Sequence, residues 1–106
     1  MNPLQENWRA GRGIGLKQMG RTSVSAVFPA YNDKNTIEGI VRTVASEICR
    51  VTDDFEVVVV NDGSKDNTGE ILENLRQELP FLRVIHHETN RGYGAALISG
   101  FSSATK

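Results

Sequence analysis

With a single cysteine, Cys49, the sequence can form no internal disulfide and has no thiolate set for a metal. Cys49 falls beside Ile48 in a helical pattern and reads as a reduced, structural thiol. No apolar run approaches the ~20 residues needed to span a bilayer, and the first residues lack the apolar stretch of a secretory signal, so the expected compartment is the cytoplasm. Strong charge of one sign is also missing, the formal net charge being -1. Its distribution is uneven: before Thr22, Arg9, Arg12, Lys17 and Arg21 stand against Glu6, a balance of +3, whereas from Thr22 onward eight basic residues face twelve acidic ones, a balance of −4. The folded part therefore has no basic footprint, and a nucleic-acid partner is excluded.

Two phosphate-binding signatures are absent as well. Gly11, Gly13 and Gly15 invite comparison with a dinucleotide loop, but that loop requires a strand before it and a helix after it. No Gly-x-Gly-x-x-Gly follows the first strand, which disfavours a dinucleotide oxidoreductase. No loop ends in the Gly-Lys-Ser/Thr of a Walker motif. Residues 1–21 show neither helical nor strand periodicity and are rich in glycine, so a flexible N-terminal tail is expected there. A chain of 106 residues holds one small domain, placed at residues 22–106.

What is present begins at Thr22. Residues 23–28 are a β-prone run that Pro29 is expected to end, because proline cannot donate to a sheet ladder. Ile37, Ile40, Val41, Val44 and Ile48 then recur at spacings of three and four, one face of a helix, with Asn35 and Glu38 spaced as a capping box. Residues 55–60, Phe-Glu-Val-Val-Val-Val, have the continuous β-branched character of a strand buried on both faces of a parallel sheet. A second helix follows, capped by Asp66 or Thr68, with Ile71, Leu72, Leu75 and Leu79 on its apolar face and Pro80 as its stop. Residues 81–87 predict a third strand and residues 92–103 a third helix. Strands alternating with helices imply an α/β fold with three α/β/α layers and a mostly parallel sheet. In such sheets ligands bind outside the carboxyl ends of the strands.

Three loops lie at those ends. The first, Pro29-Ala30-Tyr31-Asn32-Asp33, offers Tyr31 to a planar base and Asn32 or Asp33 to its edge, or else is a plain turn. The second places Asp62 at the end of a buried parallel strand, where a carboxylate can accept from a base or ribose, and Gly63 lets the chain turn tightly past a ligand. The third, Asn90-Arg91-Gly92-Tyr93-Gly94, sits at a helix amino terminus, whose free N–H groups favour an anion; its small residues serve equally to let the helix pack closely. Asp53 and Asp54 precede their strand and lie at the opposite edge from the crevice. His86 and His87 alternate faces, so they do not converge on one zinc ion.

With these loops in place the chain resembles the family-2 inverting glycosyltransferases of GT-A fold, nearest to the group that transfers sugar to a polyprenyl or dolichyl phosphate. The resemblance is carried by residues 29–33, by Val60-Asn61-Asp62-Gly63-Ser64-Lys65-Asp66-Asn67-Thr68, and by residues 90–97 through Gly100. It implies the front, nucleotide-binding half of a GT-A Rossmann-like domain. It further implies that Pro29 and Tyr31 bracket the base, that Asp33 lies near base or ribose, and that Val60 and Asp62 line the base pocket. Arg91 and Gly92 would approach the nucleotide from the third strand. Asn61 stands where the family commonly has aspartate. The implied donor is a UDP- or GDP-sugar, the acceptor a lipid phosphate, and the complete enzyme would use Mg or Mn and associate with a membrane. The family's metal-binding Asp-x-Asp and general base come after Lys106, so no catalytic residue and no metal ligand is assigned here, and the chain alone is expected to be inactive. The alternative is a non-catalytic nucleotide-binding or interaction module that self-associates through an exposed sheet edge.

Overall fold

The computed structural model describes residues 15–19 and 23–106. Its elements are β1 (Gly15–Met19), β2 (Ser23–Ala30), α1 (Ile37–Ile48), β3 (Asp54–Asp62), α2 (Thr68–Glu78), β4 (Leu82–His87) and α3 (Tyr93–Ser103). The strands form one sheet in the order β1-β2-β3-β4. Strands β2, β3 and β4 are parallel, with Val27 beside Val58 and Val59 beside Val84. This is the α/β arrangement expected from the alternation of periods, consistent with the front half of a GT-A Rossmann-like domain.

Period-two alternation divides the strand residues between the two faces. Ala26, Phe28, Ala30, Val57, Val59 and Leu82 form the main core with Ile37, Val41, Val44 and Ile48 of α1 and Leu72 and Leu75 of α2. Val27 and Val60 face the other way, against α3. Helix α3 lies so near the sheet that a Cβ on Gly100 would stand 2.2 Å from Val27 Cγ1 and 3.2 Å from Val60 Cγ2. Ala96, one turn earlier, is fully buried. The small residues of this helix are thus accounted for by close packing. Val57 to Val60 have no exposed surface at all, which explains their uninterrupted β-branched run: each side chain has a helix layer to meet. Each buried valine contributes on the order of 1.5 kcal/mol of apolar transfer.

At the amino ends of the strands the α3 face holds a buried acid. Glu56 accepts from Ser25 Oγ (2.7 Å), from Arg83 Nη1 (3.0 Å) and from the backbone amides of Thr105 and Lys106. Burial pushes its carboxyl up, but these donors outweigh burial and hold the pKa at about 2. The turn after α3 is thereby tied beneath the sheet, far from the carboxyl ends of the strands.

Four features depart from the sequence reading. Within the expected tail, residues 15–19 form a strand antiparallel to β2, with Gly15 opposite Val27 and Met19 opposite Ser23. Backbone pairing on an open sheet edge needs no apolar alternation, so periodicity did not reveal it. The rest of that segment, residues 1–14 and 20–21, lies outside the described residues. Pro29 does not end β2, which runs on to Ala30. Among the described residues the β1 partner reaches only to Val27, so Pro29 pairs on the β3 side alone, and its missing donor costs no described ladder bond. Helix α1 has Thr36 at its N-cap and no side-chain cap bond, the Asp33 carbonyl accepting from the Thr36 and Ile37 amides instead. Cys49 is exposed at the end of α1, its thiol donating to the Ser46 carbonyl. Among the described residues, no helix is long and apolar enough to cross a membrane.

Candidate nucleotide-binding crevice

The carboxyl ends of β2, β3 and β4 release their loops side by side, and side-chain-to-backbone hydrogen bonds fasten the loops together. Asn32 adopts a left-handed φ of 51°, which asparagine tolerates. Its amide donates to Ser64 Oγ (3.0 Å), and its side-chain oxygen accepts from the Lys65 amide (2.8 Å). The Asp33 amide donates to Thr68 Oγ1 (2.9 Å), and the Lys34 amide to Asp66 Oδ2 (3.3 Å). Asp66 also accepts from the Thr68 amide and hydroxyl, closing the start of α2. Asp33 itself turns its carboxylate back onto the Tyr31 amide (3.1 Å).

Asn61 and His86 tie the second loop to α2. Asn61 Oδ1 accepts from the Ser64 amide, so its Nδ2 donates to His86 Nδ1 (3.0 Å), and His86 Nε2 donates to Glu73 (2.9 Å). Asn61 is therefore a structural amide with both ends engaged. His87, one residue on, faces the opposite side of β4 and meets Asp62 of β3 and Ser99 of α3. The two imidazoles do not converge.

Asp62 is the centre of the crevice. It is 3% exposed and takes three donors: His87 Nδ1 (2.8 Å) and the Arg91 amide (2.9 Å) on Oδ1, and the Gly92 amide (2.9 Å) on Oδ2. Burial pushes the carboxyl up, but the Arg91 amide, the His87 ring and the Gly92 amide together hold it below the usual carboxylate range. Gly92, at φ 94°, makes the turn that aims these amides at Asp62. Gly63, at φ 73°, brings the second loop onto the third: a Cβ there would stand 2.4 Å from the Asn90 amide nitrogen. Two of the N–H groups that the sequence seemed to offer an external anion are thus taken by the protein's own carboxylate.

Above Asp62 opens a cavity of about 340 Å³, lined by Pro29, Tyr31, Asp33, Asp62, Asn90, Gly92 and Tyr93. Five of the seven residues singled out from the sequence, Pro29, Tyr31, Asp33, Asp62 and Gly92, border this one space. The other two do not line it. Val60 is fully buried against α3, because its side chain points into the sheet-to-helix interface, so its assignment to a pocket wall is corrected to packing. Arg91 contributes its backbone amide to Asp62 while the residue stays exposed. Sequence reasoning passed over Asn90, Tyr93 and His87 as site residues. Tyr93 had a signal, an aromatic beside Gly92 at a helix start; it is 53% exposed, and Tyr31 on the first loop is 42% exposed. A second depression of about 480 Å³, bordered by residues 49–54, lies at the opposite end of the sheet and has no aromatic ring in its lining.

Among the described residues no three His, Cys, Asp or Glu side chains stand together, and the Asp33 and Asp62 carboxylates are turned to N–H donors.

Comparison with known proteins agrees with the geometry. The sequence profile of the family described as "Glycosyl transferase family 2" matches residues 25–106. The chain is 41% identical over 83 residues to glycosyltransferase AglD of Haloferax volcanii, covering 76% of this chain and 13% of that protein. It is 38% identical over 82 residues to an undecaprenyl-phosphate 4-deoxy-4-formamido-L-arabinose transferase of Pseudomonas savastanoi, covering 74% and 23%. A dolichyl-phosphate beta-glucosyltransferase of Trichomonas vaginalis is 40% identical over 79 residues, covering 70% and 23%. The chain thus spans a quarter or less of the length of these curated relatives.

Proposed function

The chain belongs to glycosyl transferase family 2, and from that membership we propose that residues 23–106 hold the nucleotide of a sugar-nucleotide donor, as the donor-binding part of an enzyme that glycosylates a lipid phosphate. The observation that carries the reading is the convergence of three strand-end loops around one cavity, which is floored by a buried, ionised carboxylate and bordered by two exposed tyrosines. A planar base entering that cavity finds ring faces for stacking and an acceptor at its floor, while Pro29 keeps the first wall rigid. The lipid-phosphate acceptor is supported by relatives named as undecaprenyl-phosphate and dolichyl-phosphate transferases. Such an acceptor places the reaction at a membrane surface, on the cytoplasmic side where sugar nucleotides are supplied. A divalent cation would be held by residues other than those described, and turnover by the 106-residue chain with Mg²⁺ or Mn²⁺ would overturn that division.

The hydrogen bonding of Asp62 favours uridine over guanosine. A carboxylate has about four lone-pair sites. Two on Oδ1 and one on Oδ2 are filled by His87, Arg91 and Gly92, which leaves one on Oδ2. Uracil presents a single imide N–H, whereas guanine presents an N1–H and an exocyclic N–H side by side, and the second would face no acceptor. An unmet donor costs about 1–3 kcal/mol, roughly fivefold to a hundredfold in affinity. Titration calorimetry with UDP and GDP on the wild-type chain and on Asp62→Ala tests this. UDP should bind at least about fivefold tighter than GDP, and Asp62→Ala should weaken UDP binding by roughly tenfold to a hundredfold. Asp53→Ala, at the other end of the sheet, is the control. Equal losses in both variants, or parity between the two nucleotides, would refute the assignment.

A further inference from the structure

His87 is buried between β4 and α3 and takes no part in the proposed contacts with the nucleotide. Its Nδ1 lies 2.8 Å from Asp62 Oδ1 and its Nε2 2.9 Å from Ser99 Oγ. Serine, imidazole and carboxylate are thus connected in the order found in serine hydrolases. A nucleophilic role for Ser99 is ruled out by its setting. It lies within α3, where the neighbouring amides belong to the helix and none is left to hold an oxyanion. The chain of bonds points the other way, from Ser99 through the ring to the carboxylate.

We propose that His87 is a positioning residue for the nucleotide site: its Nδ1–H, steadied by Ser99, sets the rotation of the Asp62 carboxylate so that Oδ2 presents its one free lone pair to the base. This inference rests on the uridine-binding reading above. An ionised carboxylate only accepts, so Nδ1 carries the proton. In the neutral ring Nε2 is then the lone-pair nitrogen and accepts from the Ser99 hydroxyl. The Arg91 and Gly92 amides alone restrain the carboxylate from one side. His87 supplies the third point, from β4, and so fixes the plane. The same three points hold the start of α3 against the end of β3, linking the third loop to the floor of the crevice.

Two isosteric variants separate positioning from packing, because the side-chain nitrogen of asparagine falls near the place of Nδ1 and that of glutamine near Nε2. In the 106-residue chain, His87→Asn should bind UDP within threefold of wild type, and its Arg91 and Gly92 amides should keep their protection from hydrogen exchange. His87→Gln and His87→Ala should each lose tenfold or more in UDP affinity and lose that protection. Equal behaviour of the asparagine and glutamine variants, or full affinity in the alanine variant, would overturn the proposal. If wild-type chain binds no UDP, the reading of the crevice fails, while amide exchange still decides the role of His87. Should the glutamine and alanine variants fail to fold, nitrogen NMR of the wild-type ring decides: a proton on Nδ1 supports the proposal and a proton on Nε2 alone refutes it.

Discussion

Replacing Glu56 by glutamine should remove a pH-dependent share of stability whose size follows from its surroundings. The side chain is 5% exposed, and its pKa is held at about 2 against an ordinary 4.5 by Ser25, the Thr105 and Lys106 amides and Arg83. Because the folded pKa is depressed, the contribution is fully present above the unfolded pKa and is lost as pH falls through the folded one. The difference between the two values corresponds to about 3 kcal/mol at pH 7, falling to about 1 kcal/mol at pH 3. Glutamine retains the shape but not the charge, so the wild-type advantage should follow that curve. Urea unfolding at pH 7, 5, 4 and 3, monitored by circular dichroism, measures it. With a slope of about 1–3 kcal/mol/M, the midpoint gap at pH 7 should be roughly 1–3 M. UDP affinity should not change, since Glu56 lies at the amino ends of the strands. A gap that stays constant between pH 7 and pH 3 would show that the lost stability comes from shape, not from the ionised carboxylate.

Gly63→Ala sets a Cβ against the backbone of residues 89 and 90 at a φ of 73°, so about 2–4 kcal/mol of destabilisation and a clear loss of UDP affinity are expected by denaturant titration and calorimetry; wild-type behaviour in both would contradict the loop contact. Gly100→Ala drives a methyl into Val27 Cγ1 and should cost about 1–3 kcal/mol, much of it recovered in the Gly100→Ala, Val27→Ala double variant; strict additivity of the two single effects would mean that the helix does not sit where described. Tyr31→Ala and Tyr93→Ala should each weaken UDP binding by about tenfold with little change in melting temperature, in line with about 1–3 kcal/mol per stacked base, and unchanged affinity in both would remove the base from this cavity.

The order of elements from β2 to α3 was legible in the sequence because it is written in short-range periods. The four valines at 57–60 announce a strand covered on both faces, and Val41, Val44 and Ile48 announce a helix with one buried stripe. Once the parallel alternation is known, the carboxyl ends of the strands are the place for a ligand, and Asp62 stands there by position alone. Tertiary structure decided what Asp62 does there. Its donors come from residues 25, 29 and 30 positions later in the chain, and no local pattern indicates that all three meet one carboxylate. The same holds for Tyr93, which joins Tyr31 in one cavity wall only when β4 is laid beside β3, and for residues 15–19, which become a strand because β2 has an open edge to pair with. Val60 shows the reverse case: Asp62, two residues on and on the same face of β3, reaches the crevice at the strand end, whereas Val60 lies deeper and is covered by α3 at Gly100. Periods of two and 3.6 residues are set by backbone geometry and survive in any context, whereas a hydrogen-bond partner is chosen by the packing of segments that the sequence keeps far apart.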